Sequence, residues 1–259
     1  MGKYSNILLC TDMDGTMMNS EGKLSNENHE AINEFIKEDG KFCITTGRLP
    51  SHLLKFFDKS ELICPMICCN GTCIYDFVND KILYESLLDD KAADIVRYLS
   101  KHEEDISGVY YYFSDFKQYN ISGVSENLDE LLQRLSNKMY KIVVVMRNNS
   151  TATRMRDTLR ELYGDAYDFS RSWGEGIEII KKEATKGRSV KRLQKLLGDN
   201  RKIVAVGDYE NDFELIKAAD IGCAVGNART ELKSIADRIV CTNDEHAIAE
   251  IIKNVSDWV

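Results

Sequence analysis

Ile7-Leu8-Leu9-Cys10-Thr11-Asp12-Met13-Asp14-Gly15-Thr16 is the stretch whose reading decides the fold. Its first residues form a short, wholly apolar run, which predicts a strand buried on both faces, and Asp12 and Asp14 follow where the chain must turn. Carboxylates one residue apart repel. A site that keeps both ionised therefore requires a cation, a shared proton or divergent directions for the two groups. An Asp nucleophile beside an Asp acid/base over a magnesium ion meets all three requirements. A plain turn is the structural alternative, because Asp and Gly favour turns and Thr closes them through its side chain.

Further apolar runs end in small polar clusters in the same way. They are Phe42-Cys43-Ile44 before Thr45-Thr46-Gly47-Arg48, Met66 to Cys69 before Asn70-Gly71, Ile203 to Val206 before Gly207-Asp208, and Ile221 to Val225 before Gly226-Asn227. Helical segments separate them. Ser25 reads as the N-cap of a helix with Ala31, Ile32, Phe35 and Ile36 on its apolar face and Gly40 at its end. Val190, Leu193, Leu196 and Leu197 mark a second helix, stopped by Gly198, and Phe213, Ile216 and Ala219 a third. Alternating strands and helices predict an α/β fold with a doubly wound parallel sheet, whose strand carboxyl ends share the edge that binds ligands.

The middle of the chain follows another pattern. Helices are expected at Ala92 to Leu99, Leu128 to Leu135 and Thr153 to Leu162. Strands are expected at Val109 to Phe113, Lys141 to Met146, Tyr167 to Ser170 and Ile177 to Ile180. None of these strands ends in a Gly-Asp or Asn-Gly cluster. The expected organisation is a catalytic core of residues 1–82 and 184–259 with an inserted α+β domain, 83–183, covering the active edge.

With a net charge of −8 and both signs well mixed, the 259 residues offer no nucleic-acid-binding face. No apolar run approaches bilayer-spanning length, the N-terminus lacks a signal-peptide pattern, and Asn6 stands where a myristoylation site requires Ser or Thr. A soluble, cytoplasmic protein without a membrane partner is expected. Cys64, Cys68, Cys69 and Cys73 lie close together, but adjacent Cys68 and Cys69 point to opposite faces of a strand and no CxxC pair or nearby His completes a zinc set. Buried, reduced thiols are the expectation.

Gly207-Asp208-Tyr209-Glu210-Asn211-Asp212 repeats the logic of the first cluster: a strand, a sharp turn at Gly, then acids opening a helix. Acids also cap helices, which is the simpler account of Asn211 and Asp212 individually. Asp12, Asp208 and one backbone carbonyl would suffice for Mg²⁺, which takes oxygen ligands and keeps several waters. Carboxylates facing a phosphoryl group need positive charge besides the metal, and Lys186 in Ala184-Thr185-Lys186-Gly187 is placed to supply it. Thr46, just before Gly47, can donate its hydroxyl and an adjacent backbone N–H to a phosphoryl oxygen.

Taken in order, these clusters resemble the four motifs of the haloacid dehalogenase superfamily, and closely its Cof-type branch with a large cap between the second and third motifs (type IIB). The carrying residues are Asp12-Met13-Asp14-Gly15-Thr16, Thr46-Gly47-Arg48, Asn70-Gly71, Lys186-Gly187, Gly207 to Asp212 and Ala224-Val225-Gly226-Asn227-Ala228. Glu231 to Asp237 is similar to that branch's tail. The resemblance implies that Asp12 attacks phosphorus to form an aspartyl-phosphate, and that Asp14 protonates the leaving alcohol and then activates water. It implies a Mg²⁺ held by Asp12, Asp208 and the Asp14 carbonyl, and phosphate binding by Thr46, Gly47, Lys186 and Asn211, with Asp212 in support. Asn70 and Arg48 are expected at the same edge.

The resemblance implies a phosphatase of small phosphate monoesters, sugar phosphates or phosphorylated cofactors, with a phosphosugar mutase and a catalytically silent phosphometabolite-binding regulator as the alternatives. Met17 stands where relatives carry Leu, and His246-Ala247 where they carry Gly-Val. In the cap, Tyr110, Tyr111, Tyr112 and Tyr119 read as sheet packing rather than substrate stacking. Trp173-Gly174-Glu175-Gly176 reads as a specificity loop.

Overall fold

A computed structural model describes residues 2–121, 123–125, 127–135, 138–198 and 200–259. The strand Ile7–Thr11 is buried along its whole length and pairs in parallel with Lys202–Gly207 on one side and Lys41–Ile44 on the other. Beyond Lys202–Gly207 the sheet continues, also in parallel, through Ile221–Ala224 to Arg238–Ile239. Its central residues carry no polar side chain because both faces are covered. Helices Asn26–Lys37 and Ala247–Asn254 pack together, as do Lys186–Leu197 and Phe213–Ala218. The architecture is the expected doubly wound α/β sheet.

Ser25 caps the first helix, its side chain accepting the N–H of Asn28. The end of that helix departs from expectation. It stops at Lys37, and the left-handed residue is Asp39 (φ 64°), not Gly40. Gly40 instead leaves room for the Phe35 ring, which a Cβ would meet at 2.4 Å. Gly198 does adopt the left-handed conformation that closes Lys186–Leu197.

The run Met66–Cys68 also differs from the parallel reading. It touches the core sheet through one parallel bridge, Ile67 to Thr45, and its ladder runs antiparallel to Cys73–Asp76, which pairs in turn with Lys81–Glu85. A second sheet, wholly antiparallel, has the order Gln118–Ile121, Ile106–Phe113, Met139–Met146, Gly176–Lys181, Tyr167–Ser170. Helices Ala92–Ser100 and Asn149–Tyr163 cover one of its faces through Ile95, Val96, Leu99, Ala152, Met155 and Leu159, which join Val109, Tyr111, Ile142, Val144, Ile177 and Ile179 in one apolar cluster. Alternation along each strand sends Tyr112, Lys141, Val143 and Glu178 to the opposite face. Among the described residues no helix is long and apolar enough to cross a membrane, and seven of the eight cysteines are buried, Cys241 being half-buried.

Candidate active site

Because the core strands are parallel, the residues that follow Ile7–Thr11, Lys41–Ile44 and Lys202–Gly207 meet at one edge. Asp12 is fixed there by its N–H, which donates to Val206 O at 2.9 Å. The chain then turns through Gly15 at φ +78°, where a Cβ would lie 2.8 Å from Asp208 Oδ2, so only glycine lets the turn rest on that carboxylate. Thr16 Oγ1 donates to Asp208 Oδ1 at 3.0 Å. Residues distant in sequence are thereby locked together.

Lys186 arrives from the helix Lys186–Leu197, capped by Thr185. A Cβ on Gly187 would fall 1.9 Å from Glu214 O, so this helix meets its neighbour at backbone distance. Ser189 Oγ donates to Gly71 O at 2.6 Å and fixes the other side. The Lys186 ammonium, without solvent exposure, sits 2.5 Å from Asp12 Oδ1 and 2.7 Å from Asp212 Oδ1. Burial opposes its charge, but Asp12 and Asp212 outweigh burial and hold the ammonium above the usual lysine range.

One ammonium faces three acids. Asp12, Asp208 and Asp212 each offer an oxygen within 4.8 Å of the others. Burial raises the Asp12 carboxyl well above its ordinary value against the pull of Lys186, and burial with the charge of Asp212 pushes Asp208 up to about 7. Asp212 spends one oxygen on Lys186 and the other on the N–H groups of Asp208 and Tyr209. Asp12 Oδ2 and Asp208 Oδ2 have no protein partner among the described residues. Hard oxygen donors with excess negative charge suit a divalent cation such as Mg²⁺.

Asp14 is half-exposed and forms a two-pronged pair with Arg48, Nε to Oδ2 at 2.8 Å and Nη2 to Oδ1 at 2.7 Å. Thr46 is buried, and its Oγ1 accepts the Arg48 N–H at 3.1 Å, which leaves its hydroxyl proton to donate. Asn211 Nδ2 donates to Asn70 Oδ1 at 3.3 Å. Asn70 is buried, and its Nδ2 makes no close hydrogen bond but faces the Glu178 carboxylate, whose charge it favours. Asp12, Asp14, Gly47, Arg48, Asp208 and Asn211 line a cavity of about 310 Å³; buried Thr46 directly precedes Gly47, and Lys186 pairs with Asp12.

A family profile described as haloacid dehalogenase-like hydrolase matches residues 9–252. The chain belongs to that family. The phosphatase YwpJ of Bacillus subtilis is 26% identical to it over 288 residues, covering 96% of this chain and 99% of the relative. The 5-amino-6-(5-phospho-D-ribitylamino)uracil phosphatase YitU of the same organism is 26% identical over 262 residues, covering 95% and 96%. A solved haloacid dehalogenase-like hydrolase from B. subtilis shares the fold, with a TM-score of 0.81 at 23% identity over 96% of this chain and 99% of that one.

Several residues of this haloacid dehalogenase-like hydrolase that face the cavity escaped the sequence reading. Lys141 and Glu178 form a buried ion pair on the open face of the antiparallel sheet, and both line the cavity. The only signal was a single charge inside each of two apolar strands. Tyr112, expected to serve sheet packing, lies opposite Lys141 in register and takes its ammonium at 4.5 Å from the ring centre. Tyr111 and Tyr119 do pack structurally, the first in the helix-covered face and the second edge-on to Phe113 at 5.4 Å. Trp173, which the sequence reading did single out as part of a specificity loop, also lines the cavity. Glu210 accepts from Arg156 at 2.6 Å and from Arg171 at 2.5 Å, tying the region of the antiparallel sheet to the loop that carries Asp208.

Proposed function

We propose that this hydrolase is a Mg²⁺-dependent phosphatase of small phosphate monoesters, working through an aspartyl-phosphate on Asp12. The observation that carries the reading is the buried Lys186 ammonium shared by Asp12 and Asp212, with unpartnered oxygens left on Asp12 and Asp208. Asp12 Oδ2 attacks phosphorus, the P–O bond to the alcohol breaks, and Asp14 gives that alcohol its proton. Asp14 then takes a proton from the water that attacks the acyl phosphate, returning both residues to their starting state. To do so its carboxylate leaves the Arg48 fork. Asp12, Asp208 and the backbone carbonyl of Asp14 would hold Mg²⁺, which supplies charge neutralisation and orientation of the phosphate. Thr46, Gly47, Lys186 and Asn211 bind phosphoryl oxygens, Asp212 holds Lys186 in place, and Asn70 positions Asn211.

Residues 83–183 act as a cap that closes over this edge and excludes water. Sugar phosphates lead as substrates, with phosphorylated cofactors next. The relative YitU, named for a phosphorylated ribitylaminouracil, supports that range. The test is release of inorganic phosphate from a broad panel of phosphate esters by the purified chain with Mg²⁺. Turnover of at least one ester, abolished by a chelator and restored by Mg²⁺, is expected. No release from any member of the panel overturns the reading.

A further inference from the structure

Lys141 and Glu178 are almost inaccessible to solvent, with side-chain exposures of 2% and 3%, in strands whose other inward residues are apolar. Replacing a buried ion pair by apolar side chains of similar size is neutral or stabilising in many proteins, so stability alone gives no reason for charges here. Their position does. A Cβ built on Gly47 would lie 3.2 Å from Asn70 Oδ1, 3.3 Å from Glu178 Oε1 and 3.4 Å from Lys141 Nζ, so three polar groups from separate segments converge on the glycine after Thr46. The pair is part of the same cavity wall as Asp12 and Asp14.

Its hydrogen-bonding capacity is not exhausted. Lys141 has three donors; one goes to Glu178 and the face of Tyr112 lies beside its ammonium. Glu178 Oε2 accepts from Lys141 and Oε1 from the Ser172 hydroxyl, with the Asn70 side chain as a third donor, and the four lone-pair positions of a carboxylate still leave one open. Burial works against the Glu178 charge, but Lys141, with the Ser172 and Asn70 side chains, more than offsets it and keeps the carboxyl below the usual range, so it serves as an acceptor at neutral pH. A charged donor and a charged acceptor, side by side and dry, match adjacent hydroxyl groups: one oxygen accepts from Lys141 while the neighbouring O–H donates to Glu178.

We propose that Lys141 and Glu178 are the specificity-determining pair of this hydrolase, selecting esters whose leaving alcohol carries a vicinal diol next to the phosphate. This assignment rests on the phosphatase reading above. A cavity of about 310 Å³ accommodates a short polyol chain beside the phosphate.

The test compares a polyol phosphate, ribitol 5-phosphate, with an aryl phosphate that bears no hydroxyl groups, p-nitrophenyl phosphate, in the presence of Mg²⁺. In Lys141→Met/Glu178→Leu the ratio of kcat/KM for the polyol ester to that for the aryl ester is expected to fall by about 30-fold, mainly through KM of the polyol ester. Where that variant does not fold, Lys141→Gln/Glu178→Gln, close in shape, is expected to lower the ratio by about tenfold. An unchanged ratio in a folded variant of an active enzyme overturns this assignment alone. Equal losses on both esters also overturn it and make the pair a support for Gly47. Wild-type protein that releases phosphate from neither ester, nor from any other in the panel, removes the phosphatase reading and this assignment together.

Discussion

Lys141 and Lys186 are both buried beside carboxylates, yet their surroundings differ. Lys141 meets one acid, and its charge is balanced. Lys186 touches two acids, with a third, Asp208, within 4.8 Å of their oxygens, and the balance there is negative. A balanced pair is complete as it stands and has hydrogen bonds to offer. An unbalanced cluster is complete only with a further cation. On the proposed function, one molecule uses the same residue type in two ways, at the edge of the parallel sheet for chemistry and on the open face of the antiparallel sheet for contact with the substrate.

Breaking the unbalanced cluster gives the largest expected effects. Lys186→Met leaves Asp12 and Asp212 buried without their counter-charge, with an expected loss of about 3–5 kcal/mol in urea unfolding and a fall in kcat of about 10²–10³-fold on any ester the enzyme turns over. Removing Asp212 as well does not restore stability, because Asp212 Oδ2 also holds the N–H groups of Asp208 and Tyr209. At the balanced pair the outcome reverses. Lys141→Met alone is expected to cost about 3 kcal/mol, and adding Glu178→Leu to return the protein to within about 1 kcal/mol of wild type. Failure of that recovery would mean that the two sites are alike after all.

A smaller effect tests the link between the regions. Glu210→Gln weakens the bonds to Arg156 and Arg171, worth about 1.5 kcal/mol, and lowers Tm by roughly 3–6 °C in thermal unfolding. An unchanged Tm would show the two regions to be tied elsewhere. The smallest effect concerns acid. Glu178 titrates below the usual glutamate range in the folded state, so its contribution is present at neutral pH and is lost as pH falls through that lowered value. Urea unfolding at neutral and acid pH is therefore expected to favour Lys141→Met/Glu178→Leu over wild type progressively as pH drops. A constant difference would contradict the lowered value.

The contrast also explains what the sequence disclosed. The core edge was legible because parallel strands deliver their polar clusters to one side: a buried run followed by Asp12, Thr46 or Asp208 is both a strand and an address. Lys141 and Glu178 carry no such address, since which face a strand residue occupies depends on register with partners that sequence does not name. The same dependence hid the strands Cys73–Asp76, Lys81–Glu85 and Gln118–Ile121, short segments whose pairing rather than composition makes them strands. It also led Met66–Cys68 to be read as one more parallel strand. His246 occupies a left-handed turn at φ 68°, a conformation that His adopts more readily than most residues with a side chain.

Asp12 carries the proposed chemistry. Its substitution by Asn keeps the shape of the side chain and removes the nucleophile, so phosphate release with Mg²⁺ is the measurement to make on a variant whose circular dichroism matches wild type. The expected result is a fall in kcat of about 10⁴-fold or more with the fold retained. Turnover undiminished in Asp12→Asn would contradict the covalent role of Asp12 and the function built on it.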